Sequence, residues 1–319
     1  MATGSYVIGI DVGGQTTKLG VVDARGTVLA QTVIRTDNHD TVEPYIAELA
    51  EAVNKVIADA KAEGEIRGIG VGAPNGNYYT GNIESAPNLV WARNTVEFAK
   101  LLSEALEGLP VALTNDANAA AVGEMTYGAA RGMKNFIMIT LGTGVGSGIV
   151  INGEVVYGHD GFAGELGHTA AVRNNGRVCG CGKTGCLETY CSATGVARTA
   201  REWLELTDEP SVLRSLDSIA SKDVYDAAKD GDKLALKIFE FTGKILGRSF
   251  ADFVAFSAPE AIVLFGGLAR AKEFLREPIE NAMNENVLPL WRNKVKIVFS
   301  QLKESDAAIL GASALAWEL

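Results

Sequence analysis

The sequence lacks the long apolar segments of membrane proteins. No run of about eighteen apolar residues occurs in its 319 positions, and no basic stretch followed by an apolar core opens it. Positive charge is also in deficit, because 29 Lys and Arg stand against 39 Asp and Glu, for a formal net charge of −10. We therefore expect a cytoplasmic protein with no membrane segment and no nucleic-acid-binding surface.

Cysteine is scarce as well, and the four cysteines all lie between residues 179 and 191. Cysteines clustered in this way are poorly placed to cross-link distant parts of the chain through disulfides. Cys179, Cys181 and Cys186 alternate with glycines and follow His168, so the four side chains can supply the ligands of a tetrahedral zinc ion. The sequence predicts a structural zinc site on these residues, with Cys191 packed in the core. A disulfide, a four-cysteine zinc site that uses Cys191, and buried free thiols are the alternatives.

Two glutamates flank the segment from His168 to Cys186, here called the zinc loop because it carries the four predicted ligands. Glu165 precedes His168 by three residues and Glu188 follows Cys186 by two. A zinc ion with four protein ligands has no open position for water, so its role would be to fix the loop and the His168 ring. Two carboxylates and an imidazole form a good receiver for a polyhydroxylated molecule. Taken alone, each glutamate is better explained as a solvated surface charge.

Two glycine-rich turns follow similar β-rich stretches. Asp11-Val12-Gly13-Gly14 ends a strand that begins at Tyr6, and Gly142-Thr143-Gly144 ends one that begins at Asn135. A second strand, a polar turn and a third strand follow each turn. Glycines there let backbone N–H groups approach phosphates, and Asp11 can hold Mg²⁺ through water, although the first motif alone is better explained as a hairpin turn. The repeat predicts two similar domains that face a shared cleft, and the missing G-x-x-x-x-G-K-[ST] loop excludes a Walker-type site.

Asp116 is the candidate general base. It follows a strand, Pro110 to Leu113, and precedes an alanine-rich helix, and ligands in α/β sheets gather outside the carboxyl ends of strands. Phosphoryl transfer to a hydroxyl needs a positioned carboxylate that accepts the proton, and Asn115 can bond a neighbouring hydroxyl. The alternative is a helix N-cap, for which Asp and Asn are preferred residues and which this stretch alone favours.

The remaining pattern predicts α/β architecture around these motifs. Residues 78–91 form a long loop of the kind that binds ligands. The predicted helices are 41–62, 94–106, 188–205, a largely helical region 221–257, and 305–319, and the further strands are 66–71, 261–265 and 294–302.

The order Glu165-x-Gly167-His168, then Cys179-x-Cys181-Gly182-x-x-Gly185-Cys186-x-Glu188, resembles the signature of the ROK family of sugar kinases and sugar-sensing repressors. The other motifs extend the resemblance over essentially the whole chain. It implies the α/β fold of actin, Hsp70 and sugar kinases (RNase H-like), with a duplicated β-meander in two domains and a nucleotide cleft between them. The implied domains are residues 1–117 with 304–319, and residues 118–303, which carry the zinc loop.

The same resemblance implies an ATP-dependent hexose kinase, glucose being the favoured substrate, that uses Mg²⁺, keeps a structural Zn²⁺ and forms a homodimer. Asp116 would be its general base. Sugar contacts are implied for Asn88, Asn115, Asp116, Glu165, His168 and Glu188. ATP contacts are implied for Asp11, Gly13, Gly14, Thr16, Lys18, Gly142, Thr143, Gly144, Gly266 and Gly267. The pair Gly266-Gly267 could equally serve close packing of strand and helix.

One position departs from the family pattern, since Gln15 stands where threonine is usual. Alternatives remain for the function as well. They are a kinase for N-acetylhexosamine, mannose or fructose, a sugar-sensing repressor, and an Hsp70-like nucleotide switch. The repressor would need a DNA-binding helix-turn-helix before the first strand, where only Met1 to Ser5 stand. The switch would not need the site around residues 165–188.

Overall fold

The structure is a computed structural model that describes residues 5–319. Its strands are β1 (Tyr6–Val12), β2 (Thr16–Asp23), β3 (Val28–Arg35), β4 (Ile66–Gly72), β5 (Val111–Thr114), β6 (Phe136–Leu141), β7 (Val145–Ile151), β8 (Glu154–Val155), β9 (Ala261–Phe265) and β10 (Lys296–Phe299). Its α-helices are α1 (Val42–Ala60), α2 (Phe98–Ala105), α3 (Asp116–Thr126), α4 (Glu188–Cys191), α5 (Ala193–Leu206), α6 (Ser221–Lys229), α7 (Lys233–Ser257), α8 (Lys272–Asn286) and α9 (Glu304–Leu315). Among the described residues, no helix has both the length and the apolar character needed to cross a membrane.

The first sheet has the strand order β3-β2-β1-β4-β5. The strands β1, β2 and β3 form an antiparallel meander, and β4 and β5 continue the sheet in parallel with β1. Helix α1 buries Ile46, Leu49, Val53 and Val56, which recur every three or four residues and form one face of the helix. This periodic apolar face is why α1 packs against the meander.

Helix α9 covers the same sheet along β1 and β4. The approach is so close that a Cβ on Gly9 would lie 2.0 Å from Ile309 O, and one on Gly70 would lie 1.9 Å from Ala312 O. Only glycine leaves room for the helix backbone at these two strand positions. The C-terminal helix α9 therefore packs on the sheet that the first part of the chain forms.

The second sheet has the strand order β10-β9-β6-β7-β8. Read from the other edge, this order matches the first sheet, with an antiparallel meander followed by two parallel strands. Helices α7 and α8 pack closely, and a Cβ on Gly247 of α7 would lie 2.4 Å from Ile279 O of α8. The predicted duplication and the α/β fold class are therefore confirmed.

The contacts within the chain divide it into two compact units. The first unit contains the chain up to Gly132 together with Val155–Gly164 and Gln301–Leu319, and the second contains Met133–Glu154 and Glu165–Ser300. This division differs from the predicted boundary after residue 117, because α3 packs against α9 within the first unit. Residues 155–164 also group with the first unit, where Asn77 Nδ2 donates to Asp160 O at 2.8 Å.

Two predicted helices differ locally from the structure. The one expected over residues 94–106 begins only at Phe98, because Val96 exchanges backbone hydrogen bonds of 2.9 and 3.0 Å with Ile83. The one expected over residues 188–205 is interrupted at Ser192, whose backbone is extended. The Ser192 hydroxyl accepts a hydrogen bond from Gly195 N at 3.0 Å and so caps α5.

Candidate active site

The second unit brings together the four residues of the predicted zinc site. The ligand atoms of His168, Cys179, Cys181 and Cys186 all lie within 4.8 Å of one another. Cys179 Sγ is 3.7 Å from His168 Nδ1, and Cys181 Sγ is 3.7 Å from Cys186 Sγ. A tetrahedral zinc ion with Zn–S distances of about 2.3 Å separates its sulfur ligands by roughly 3.8 Å, so the donor set and its spacing fit zinc. The four cysteines form no disulfide, and Cys191 is buried, 3.7 Å from Thr242 O.

Arg177 anchors the zinc loop to helices α4 and α5. Arg177 is 9% exposed, and its guanidinium donates to Glu202 Oε2 at 2.5 Å and to Thr189 O at 2.8 Å. Its backbone N–H donates to the hydroxyl of Tyr190 at 2.9 Å, and the guanidinium lies over the Tyr190 ring at 4.5 Å. The sequence analysis passed over Arg177 as part of a polar loop. An arginine between two metal ligands carries no signal that separates an anchor from a solvated charge.

The segment that carries Glu165 and His168 lies against β7. Leu166 N donates to Ser147 Oγ at 3.0 Å, and a Cβ on Gly167 would lie 2.0 Å from Val145 O. His168 turns Nδ1 toward Cys179, so Nε2 is the ring nitrogen that can meet a ligand hydroxyl. Glu165 is exposed at the start of this turn.

The Glu188 carboxylate lies between the zinc loop and the turn after β6. Glu188 Oε2 accepts a hydrogen bond from Val145 N at 3.0 Å, and Oε1 lies 3.8 Å from Cys179 Sγ. A Cβ on Gly144 would lie 2.3 Å from Glu188 Oε2. Glycine at position 144 therefore leaves the space that this carboxylate occupies, a link between two motifs that the sequence treated separately.

The turn Gly142-Thr143-Gly144, here called the second glycine turn, is held by the start of α5. Ala193 N donates to Gly142 O and Thr194 Oγ1 donates to Thr143 O, both at 2.8 Å. With the backbone carbonyls held by α5, the turn has a fixed shape in which N–H groups can receive an anion.

The glycine pair after β9 has two different environments. Gly266 has a φ of 101°, and a Cβ there would lie 2.6 Å from Leu141 O, so close backbone packing requires this glycine. Gly267 has no neighbouring atom within 4 Å of an added Cβ. The predicted contact with ATP stays a prediction for both, and only Gly267 has open space beside it.

Asp116 is the first residue of α3 in the first unit, directly after β5. The N-cap is Asn115, whose Oδ1 accepts a hydrogen bond from Asn118 N at 2.7 Å. Asp116 Oδ1 accepts a hydrogen bond from Ala117 N at 2.8 Å. The carboxyl reaches solvent, but the protein around it removes part of its hydration, and this desolvation raises the pKa of Asp116. A carboxylate with a raised pKa is a better proton acceptor.

The turn Gly13-Gly14-Gln15-Thr16, here called the first glycine turn, joins β1 to β2. It is closed by a hydrogen bond from Gly13 N to Thr16 O at 3.0 Å. A Cβ on Gly14 would lie 3.1 Å from Asn88 O, so the predicted sugar residue Asn88 lies against this turn. The Gln15 side chain is exposed.

Asp11 and Lys18 face each other across β1 and β2 beside the first glycine turn. Burial of the Asp11 carboxyl and the charge of Asp116 raise the pKa of Asp11 to about 6, and Lys18 opposes the shift. Two carboxylates therefore lie close enough within this unit to influence each other's protonation.

The chain matches the model of the ROK family over residues 7–318. A glucokinase from Halalkalibacterium halodurans is 37% identical over 311 residues, which cover 96% of this chain and 93% of the relative. A glucokinase from Thermotoga maritima is 34% identical over 316 residues, covering 97% and 96%.

A solved structure is similar over the same extent. The ROK family glucokinase from Streptomyces griseus, crystallised with glucose and AMPPNP, superimposes with a TM-score of 0.79 at 31% identity. The match covers 98% of this chain and 100% of that protein.

Proposed function

We propose, since the chain belongs to the ROK family, that it is an ATP-dependent glucokinase that transfers the γ-phosphoryl group of ATP to the 6-hydroxyl of glucose. The observation that carries the proposal is the Asp116 carboxyl. It stands at the carboxyl end of β5, its pKa is raised by desolvation, and Asn115 has already taken the capping role at this helix start.

Asp116 accepts the proton of the attacking hydroxyl, so that the oxygen becomes nucleophilic as it approaches the γ-phosphorus. Asn115 uses Oδ1 for the cap, which leaves its amide N–H groups to donate to a neighbouring sugar hydroxyl. The same desolvation that raises the pKa of Asp116 makes the residue a stronger base than an ordinary aspartate.

Within the first unit, Asn88 is the proposed sugar contact. Within the second unit, the proposed sugar contacts are Glu165, His168 and Glu188. The carboxylates accept hydrogen bonds from sugar hydroxyls. His168 presents Nε2 to the sugar, and zinc binding through Nδ1 would fix the orientation of the ring. His168, Cys179, Cys181 and Cys186 would hold the zinc ion, which supplies rigidity to this loop and no open coordination position.

Backbone N–H groups of the first glycine turn are the proposed phosphate donors of the first unit, and those of the second glycine turn are the proposed phosphate donors of the second unit. Asp11, Thr16 and Lys18 supply side chains at the first turn, Thr143 lies in the second, and Gly267 leaves open space for the nucleoside. A magnesium ion bound with ATP supplies neutralisation of the phosphate charge. The polar residues of this chain orient the phosphates and the sugar hydroxyl for in-line transfer.

The test is Mg²⁺-ATP turnover with glucose, mannose, fructose and N-acetylhexosamines, measured for the wild type and Asp116→Asn. We expect the highest kcat/KM with glucose, and a loss of about 10²–10⁴ in kcat for the variant. Calorimetry should give a glucose Kd for Asp116→Asn within a few-fold of the wild type. A wild type that binds glucose but phosphorylates none of the sugars would contradict the proposal.

The reduced thiols needed for the zinc site favour the cytoplasm as the place of this activity. Family membership supports a homodimer. Light scattering on the purified protein measures the mass directly, and a single species of about 34 kDa, the mass of one chain, would contradict the dimer.

A further inference from the structure

Three buried hydroxyl groups form a cluster in the first unit that the mechanism above does not use. Thr17 Oγ1 is hydrogen-bonded to Thr36 Oγ1 at 2.7 Å and to Tyr45 Oη at 2.6 Å. Thr17 and Tyr45 have no exposed surface, and Thr36 is 1% exposed. Since a buried hydroxyl without a partner is costly, the three groups, here called the hydroxyl cluster, hold one another in one arrangement.

One side of the hydroxyl cluster holds the first glycine turn. Thr17 is the second residue of β2, directly after the turn, and its side chain bonds Thr36. Thr36 N also donates to Gln15 O, inside the turn, at 2.9 Å. The residues of the cluster therefore hold the turn at two points. The Thr36 backbone holds Gln15, and the Thr36 side chain holds Thr17, where the chain leaves the turn.

The other side of the hydroxyl cluster holds the loop that carries Asn88. The ring of Tyr45 stacks on Trp91, with centroids 4.5 Å apart and planes at 21°. Trp91 Nε1 donates to Thr36 O at 3.2 Å, and Trp91 is three residues after Asn88. Because the Asn88 backbone also lies against Gly14, the loop and the turn contact each other directly and through Tyr45.

We propose that Tyr45 is a positioning residue that couples the Asn88 loop to the first glycine turn, so that sugar bound at Asn88 raises the affinity of the turn for ATP. This inference rests on the proposed function, because it takes glucose and ATP as the two ligands. By linkage, ATP raises the affinity for the sugar by the same factor. Tyr45 touches neither ligand and acts through Thr17, Thr36 and Trp91.

The protonation of Tyr45 supports this role. Burial raises the pKa of Tyr45 above its usual value, with the charges of Glu48 and Asp11 adding to the shift while Thr17 and Thr36 oppose it. The hydroxyl therefore stays protonated over the working range of the enzyme and can donate to Thr17 throughout.

Tyr45→Phe tests the proposal, because it removes one hydroxyl and keeps the ring against Trp91. The measurement is AMPPNP affinity by calorimetry with and without saturating glucose, together with kcat and the KM for ATP. In the wild type we expect glucose to tighten AMPPNP binding. In the variant this coupling factor should fall about fivefold or more, the KM for ATP should rise by a similar factor, and kcat should change less than about twofold.

Ile69→Val is the matched control. Ile69 is fully buried in β4, which β1 separates from β2, and the change removes one buried methylene and leaves the hydroxyl cluster intact. A coupling factor in Tyr45→Phe equal to that of Ile69→Val and of the wild type overturns the proposal. So does a wild type whose AMPPNP affinity does not depend on glucose.

A second pair of variants covers the case in which Tyr45→Phe does not fold. Thr36→Val removes the bond to Thr17, and Thr36→Ser keeps it. We expect the valine variant to lose the coupling and the serine variant to retain it, whereas equal coupling in both overturns the proposal. Failure of the proposed function is distinct, since it appears as a wild type without turnover of any hexose.

Discussion

At the scale of single residues, the structure shows which of Asn115 and Asp116 is the helix N-cap, a choice that the sequence left open. Asn115 and Asp116 are both good N-cap residues, and the spacing alone favoured a cap. The structure gives the cap to Asn115, through its bond to Asn118 N, and places Asp116 in the first turn. The Asp116 carboxyl is therefore not the cap, and the propensities of the two residues alone could not have assigned the cap to Asn115.

The pH dependence of kcat follows from the raised pKa of Asp116. The carboxylate is the active form of a general base, so kcat should fall as the pH drops through this pKa, at a higher pH than an ordinary aspartate would give. A kcat profile with saturating glucose and ATP measures it, and recovery of full rate on return to neutral pH controls for unfolding. A rate that stays constant down to about pH 4 would count against Asp116 as the base.

Gly144 should matter for the sugar through Glu188. Gly144→Ala places a Cβ where Glu188 Oε2 now lies, at 2.3 Å, so the carboxylate must leave Val145 N. We expect the KM for glucose to rise about tenfold, the effect of losing about one charged hydrogen bond. Gly142→Ala is the matched variant, because a Cβ there meets nothing within 4 Å. If both variants leave the KM for glucose unchanged, Glu188 does not hold the sugar from this position.

At the scale of elements, the convergence of His168, Cys179, Cys181 and Cys186 was predictable because ligand type and spacing constrain a metal site strongly. The break between α4 and α5 was not predictable, because a serine within an apolar helical pattern gives no signal that its backbone is extended. The start of α2 was missed for a similar reason. Val96 fits a helix by its neighbours, but pairing with the distant Ile83 decides its conformation.

Two buried cysteines five positions apart provide a test of the zinc loop. Cys186→Ala removes a proposed ligand, whereas Cys191→Ala removes a side chain packed near Thr242. Metal analysis should find about one zinc per chain in the wild type and in Cys191→Ala, and much less in Cys186→Ala, with a raised KM for glucose. Wild-type protein prepared without chelator that contains no zinc would contradict the site.

The packing of α9 on β4 depends on Gly70. Gly70→Ala would bring a Cβ to 1.9 Å from Ala312 O, and the helix must shift, so we expect a loss of about 1–3 kcal/mol or more in the free energy of unfolding. Gly72→Ala lies on the same face of β4 and meets Ala119 Cβ at 3.2 Å, so its cost should be smaller. Urea denaturation compares them, and equal losses would show that α9 moves freely.

At the scale of the whole molecule, the duplicated strand order was the most predictable feature. Two glycine turns in similar β-rich settings indicated the repeat, and both sheets have the same order of five strands. The allotment of residues 118–132 and 155–164 to the first unit was not predictable, because it depends on contacts with residues far away in the chain.

Stability should depend on pH through Asp11. Its pKa rises from 3.8 to about 6 on folding, so its protonated form favours the folded state, and this contribution is lost as the pH rises from about 4 through 6. Asp11→Asn should remove this loss of stability with rising pH. Relative to the wild type, we expect the variant to gain about 1–3 kcal/mol between pH 4 and 7.5, discounted for residual solvent access. Urea denaturation with EDTA and without nucleotide measures it, and a pH-independent difference would contradict the shift.

The position of α9 has a consequence for how the protein is made. This helix covers Gly9 and Gly70 of the first sheet, yet it is built from residues 304–315. During synthesis, β1 and β4 leave the ribosome more than two hundred residues before the helix that covers them. The second unit, which is complete at Ser300, has all its parts earlier than the first. The first sheet of the nascent chain therefore keeps one face uncovered until translation reaches α9.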